Sequence, residues 1–159
     1  MAVVIRDVIP ADEEAIIALI DALNRYEAGL VDDRRTDITA ARECLDRDRE
    51  RIAESGGALL AACEGERVVG FLALVFGRDE PYVLPRFRDY AMIAELVVDA
   101  EARGAGIGRA LIAEAERRAR ERGLERITVA ALAVNKGALA AYSAAGYGDY
   151  MVTLERRLG

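Results

Sequence analysis

The chain contains no histidine, and its only lysine is Lys136. Without an imidazole, Ser-His and Cys-His nucleophile pairs and most zinc chemistry are excluded, and no metal is expected. The two cysteines, Cys44 and Cys63, lack the spacing of a metal or redox pair. They read as reduced core residues. No apolar run reaches the ~20 residues of a bilayer span. The opening MAVVIRDVIPADEE has neither the basic nor the apolar region of a secretory signal, so a cytoplasmic protein that avoids membranes is expected. The formal net charge is −6, which argues against nucleic acid as a partner.

What is present is a globular balance. With 53% hydrophobic and 31% charged residues in 159, the chain suits one domain spanning 1–159 with a sizeable core. VVIRDV (Val3–Val8) reads as a strand. Pro10 and Asp12 then open a helix to about Tyr26, with Ala15, Ile16, Leu19, Ile20 and Leu23 on its apolar stripe. A second helix starts near Thr39 and ends at Ser55-Gly56-Gly57. Its interleaved arginines and carboxylates, Arg42 through Arg51, read as a solvated, salt-bridged face. ALLAACE and RVVGFLALVFG form a hairpin about Glu64–Glu66. A proline-containing loop, Arg78 to Tyr90, leads to the strand AMIAELVV (Ala91–Val98). A helix then runs through Arg122 to a stop at Gly123. The strand RITVAALAV, a short helix from Lys136 to Ala145 and a last extended segment, YGDYMVTLERRL, complete a mixed α/β pattern.

Three phosphate-binding patterns compete for the glycines of Arg103–Arg109. A dinucleotide fingerprint, G-x-G-x-x-G, fits Gly104 and Gly106 but meets Arg109 at its third position, and no second nucleotide half follows. A P-loop needs a G-K-[ST] ending that is absent. The third is Arg103-Gly104-Ala105-Gly106-Ile107-Gly108 after Val97-Val98-Asp99. Backbone N–H groups at a helix N-terminus would hold a pyrophosphate there, with no Cβ to keep its oxygens away. A plain strand-to-helix turn with packing glycines is the bland alternative.

The third pattern resembles the [RQ]-x-x-G-x-[GA] acetyl-CoA motif of the GNAT superfamily of N-acetyltransferases, with Arg103, Gly106 and Gly108 at its defined positions. Some thirty residues on, Asn135, Ala138, Tyr142, Gly146 and Tyr147 are similar to that family's N-x-x-A-x-x-x-Y-x-x-x-G-[FY] element. The order of elements also matches over essentially the whole chain. The resemblance implies a central, mostly antiparallel sheet, splayed at the coenzyme site and flanked by helices. It implies acetyl-CoA as cosubstrate and direct transfer of acetyl to a primary amine of a small molecule or peptide, with no acyl-enzyme. It places the cosubstrate against Leu96, Val97, Val98, Arg103, Gly104, Ala105, Gly106, Ile107, Gly108, Arg109, Asn135 and Tyr142. Pairing into a homodimer is a further family habit.

By the same resemblance Tyr142 is the general acid for the departing sulfur; its plain alternative is a wall residue. Asn135 bonds the pantetheine arm, caps the helix, or does both. Many relatives carry a glutamate on the strand before that asparagine, yet TVAALAV has no carboxylate. Glu95, on the preceding strand, is the leading substitute base, with Glu80 a further candidate. The acceptor site is expected in the irregular segments Tyr26–Arg35 and Arg78–Tyr90, with Tyr26, Glu27, Glu80, Tyr82 and Tyr90 as candidate contacts. Their carboxylates would attract a cationic amine, whereas Arg34, Arg35, Arg86 and Arg88 would hold a carboxylate. The missing carboxylate leaves one rival open, a non-catalytic acyl-CoA-binding or sensing module on the same fold.

Overall fold

The structure, a computed structural model, describes residues 2–159. Strand β1 (Val3–Asp7) runs through a single 3₁₀ turn, Pro10–Asp12, into α1 (Glu13–Ala28). Helix α2 (Ile38–Ser55) follows, with the Asp37 carboxylate accepting the Ala40 N–H at 3.0 Å. Gly56, at φ 72°, ends α2 in the left-handed conformation that glycine adopts freely. The hairpin is β2 (Ala58–Glu64) and β3 (Arg67–Arg78). A one-turn helix α3 (Pro85–Arg88) leads to β4 (Asp89–Val98), so the expected loop is shorter than Arg78–Tyr90. Then come α4 (Ile107–Glu121), β5 (Ile127–Val129) and α5 (Lys136–Ala144). Among the described residues, no helix is long and apolar enough to cross a membrane.

The five strands lie in the order β1-β2-β3-β4-β5, antiparallel except for the parallel β4–β5 pair. Both faces of the sheet are covered, which explains why β3 is an almost unbroken apolar run. Phe71, Ala73 and Val97 pack with Ile16, Ile20 and Leu45 of α1 and α2. Leu72, Leu74 and Ile93 pack with Leu111 and Ala115 of α4 on the other face.

Two features of β4 shape the site. The β3–β4 register slips between Ala73 and Leu74, because Ala73 faces Glu95 and Leu74 faces Ile93. Ala94 is thus the extra residue of a bulge, which turns the following side chains over. Ala91 and Ile93 lie on the α4 face before it, and Leu96 and Val98 lie there after it. Second, β4 pairs with β5 only from Ala91 to Ile93. Beyond Ile93 the β5-side edge of β4 has no strand partner among the described residues, and the sheet opens.

Two expectations need correction. The strand anticipated over RITVAALAV ends at Val129, since an alanine-rich run has weak strand propensity once its parallel neighbour diverges. The closing segment is not a strand. Residues 148–159 join no ladder, and Met151, Val152, Leu154 and Leu158 are exposed. Contacts from Arg126 to the Tyr150 hydroxyl (3.2 Å) and from Arg157 to Asp32 (2.7 Å) tether the segment.

Candidate active site

The turn between β4 and α4 is built by conformation, not by packing. Gly104 and Gly106 have φ of 82° and 79°, and a Cβ added at either would meet nothing within 4 Å. The glycines therefore supply left-handed backbone and open space above it. Among the described residues, no backbone N–H from Arg103 through Arg109 donates to a protein acceptor; the first bond of α4 is Ala110 N–H to Gly106 O. Unpaired amides at the positive end of a fifteen-residue helix are a cradle for phosphate oxygens. Arg103 and Arg109 flank it. The Arg103 guanidinium lies 6.0 Å from the Tyr26 ring and bonds Val98 O at 3.3 Å, and Arg109 reaches Ala144 O at 3.1 Å. Asp99 is a local cap on the Glu101 N–H (2.9 Å) and an ion partner of Arg67.

The bulge decides where Glu95 points. Without it, Glu95 would follow Ala91 and Ile93 onto the α4 face; with it, Glu95 enters a cavity of about 430 Å³ bounded by residues of α1, α2 and the segment between them. Burial, and then the charges of Asp48 and Glu27, push its pKa from an ordinary 4.5 up to about 7. Asp48, one turn beyond Cys44 on α2, faces the same cavity. It is only 3% exposed, and its Oδ2 has no hydrogen-bond partner among the described residues. Burial raises its pKa to about 6.

Asp48 corrects the reading of α2 as a uniformly solvated face. Arg42–Glu14, Arg47–Glu50 and Arg49–Asp46 are exposed pairs as expected, but Asp48 and Arg51 turn inward. The signal was available, since Cys44, Asp48, Arg51 and Ser55 recur at helical spacing opposite the exposed arginines. The alternation of charge along the segment concealed it.

Helix α5 offers Ala144 O to Arg109 of the turn. Asn135 caps α5, its Oδ1 accepting the Ala138 N–H at 3.1 Å. Asn135 is 8% exposed. Tyr142 is half-buried against the α4 side of the core, 6.1 Å from the Tyr147 ring. Burial and the charges of Glu95 and Glu27 raise its pKa, so the phenol keeps its proton at neutral pH. Its hydroxyl makes no hydrogen bond among the described residues, whereas Tyr147 is committed to Glu116 at 3.1 Å.

Leu96, Val98, Ile107 and Tyr142 thus share the α4-side core, Arg109 ties the turn to α5, and Glu95 and Glu27 lie near enough for their charges to act on Tyr142. Tyr26 and Glu27 stand beside this group, Glu27 bonded to Arg34 at 2.8 Å. No hydrogen bond among the described residues joins the side chains of Glu80, Tyr82 or Tyr90 to it. Tyr90 sits opposite Gly77 at the far end of β4 beneath Arg126, Tyr82 is 87% exposed, and Glu80 belongs to the turn bonded by Val83 N–H at 3.0 Å.

The acetyltransferase (GNAT) family model matches residues 18–147. Among solved structures, a transcriptional regulator from Bacillus halodurans C-125 superposes with a TM-score of 0.75 at 25% identity, over 99% of this chain and 100% of that one. A ribosomal-protein-alanine N-acetyltransferase from Brucella melitensis biovar Abortus 2308 gives 0.70 at 20% identity over 99% and 100%. An aminoglycoside antibiotic 6'-N-acetyltransferase from Acinetobacter haemolyticus gives 0.72 at 15% over 98% and 99%. At these low identities the last two likenesses establish the fold alone. No curated protein sequence matches the chain.

Proposed function

Because the chain belongs to the acetyltransferase (GNAT) family, we propose that it moves acetyl from acetyl-CoA directly to a primary amine of a small molecule or peptide. In this reading the whole chain is one transferase domain. The observation that carries it is the unbroken run of unpaired amides from Arg103 to Arg109 beside the open edge of β4.

The residues present fit the cosubstrate. The amides of the turn, with Arg103 and Arg109, hold the pyrophosphate. The free edge of Leu96–Val98 and the capped Asn135 flank the pantetheine arm. Glu95 takes a proton from the acceptor ammonium, and the freed nitrogen attacks the thioester carbon. A carboxylate with a pKa of about 7 is a far stronger base than one left at 4.5, and at pH 7 about half of it is in the ionised, working form. As the C–N bond forms and the C–S bond breaks, Tyr142 gives its proton to the departing sulfur. The proton then shed by the new amide nitrogen restores the phenol, so one proton in all leaves through Glu95. An N–H of the open β4 edge stabilises the oxyanion. The carboxylate missing from TVAALAV is replaced by one from β4, which favours an enzyme over a passive coenzyme-binding module.

Calorimetric titration with acetyl-CoA tests the reading, comparing wild type with Gly106→Glu and Gly106→Ala. Gly106→Ala imposes the left-handed strain without the charge. Wild type binds, Gly106→Ala binds more weakly, and Gly106→Glu, which sets a carboxylate among the amides, loses binding. A wild type that does not bind acetyl-CoA overturns the proposal.

A further inference from the structure

The charges lining the Glu95 cavity are not equally free. Arg34 is paired with Glu27 and Asp33, Arg35 with Asp37 and Glu43, and Arg47 with Glu50. Three groups remain: the carboxyls of Glu95 and Asp48, and the Arg51 guanidinium, whose charge acts on both carboxyls and which makes no hydrogen bond or ion pair among the described residues. Arg51 lies three residues from Asp48 on the same face of α2. It also lines a second chamber of about 280 Å³ with Glu54, Ser55, Val75, Phe76 and Met92, where Glu54 is exposed to solvent. Ser55 lines the second chamber and Asp48 the first, and Ser55 Oγ and Asp48 Oδ2 are both buried without a partner among the described residues. A buried polar atom left unpaired is costly. Two such atoms on one stripe of α2, with a free guanidinium between them, mark a place where a ligand completes the bonding.

The geometry points to a zwitterionic acceptor, a small aminocarboxylate, whose ammonium sits between Glu95 and Asp48 and whose carboxylate is held by Arg51 and the Ser55 hydroxyl. This inference rests on the acetyltransferase reading and names its substrate class. Charge decides among the alternatives. Two neighbouring buried carboxyls do not both ionise readily, so the pair carries about one negative charge opposite one guanidinium. An ammonium and a carboxylate complete that set at neutrality. A polyamine would set a second cation beside Arg51, and a phosphorylated amine would bring a dianion to a single guanidinium next to two acidic groups. The planar fork of Arg51 matches one carboxylate. The side chains of Val75 and Met92 accommodate the rest of the acceptor.

The test is steady-state transfer from acetyl-CoA to paired acceptors, each natural amino acid beside the amine that lacks its carboxylate, with a phosphorylated amine as a third arm. At least one amino acid is expected to exceed its decarboxylated partner in kcat/KM by about tenfold or more, as a formed charge pair would give. Arg51→Gln collapses that ratio toward one, Arg51→Lys keeps part of it, and Asp48→Asn raises KM for both members of the pair. A preference for decarboxylated or phosphorylated amines overturns the inference, as does a ratio unmoved by Arg51→Gln. If acetyl-CoA binds and no arm is acetylated, the substrate class falls while the coenzyme reading stands. If acetyl-CoA does not bind, both fall.

Discussion

Replacing Glu95 with glutamine separates a catalytic base from a structural carboxylate, because the two roles move activity and stability in opposite directions. In the folded protein the Glu95 pKa is about 7, against an ordinary 4.5. Between those values the folded state holds a proton that the unfolded chain has released. Stability from this group is therefore full below 4.5 and lost as pH rises through about 7. The loss at pH 8 is about 3 kcal/mol, from a difference of some 2.5 pH units at 1.36 kcal/mol each. A glutamine amide cannot ionise, so Glu95→Gln removes the loss. At ~2–4 °C per kcal/mol for a chain of this size, the variant melts about 6–12 °C above wild type at pH 8 and together with it at pH 4. Activity moves the other way. The kcat/KM falls by about 10²–10⁴, and the wild-type acid limb near pH 7, which belongs to the coupled Glu95–Asp48 pair, changes shape or vanishes. Thermal melts by circular dichroism at the two pH values and a pH–rate profile check both. Equal melting at pH 8, or an unchanged pH profile in the variant, refutes the reasoning.

Tyr142→Phe lowers kcat by about tenfold to a hundredfold while acetyl-CoA affinity by calorimetry stays within about twofold; unchanged turnover removes the acid assignment. Asp12 is 5% exposed and accepts Arg6 at 2.6 and 3.0 Å and the Ile9 N–H at 2.9 Å, so Asp12→Asn costs about 1–3 kcal/mol in urea unfolding at pH 7. The Arg6 hydrogen bonds hold that carboxyl below its ordinary 3.8, and the difference between the two proteins disappears as pH falls through the folded-state pKa. A Cβ at Gly57 would lie 2.0 Å from Leu74 O, so Gly57→Ala forces backbone apart and costs about 3 kcal/mol or more. Gly104→Ala meets only the left-handed penalty of ~1–2 kcal/mol, and equal denaturation midpoints for the two variants would contradict the geometry.

Local chemistry was legible in the chain itself. Glycine spacing, a strand before it and an amphipathic run after it specify a turn whose backbone amides are exposed, because the sign of φ and the position of a helix start depend on neighbours in sequence. Asn135 as a cap and the β2–β3 hairpin were readable for the same reason. The family followed from those residues. What a side chain faces across the fold was decided elsewhere. Whether Glu95 looks toward α4 or into the cavity lined by α1 and α2 depends on one extra residue at Ala94, and a bulge is set by the register against β3. Asp48 and Arg51 look like their solvated neighbours in sequence and differ from them only because that stripe of α2 packs over the sheet. The strand pattern after Val129 forms no ladder, since pairing needs a partner at ~4.8 Å and propensity alone does not provide one. Conformation is a property of a few consecutive residues, whereas burial, register and the pKa values that follow from them arise only when distant segments meet.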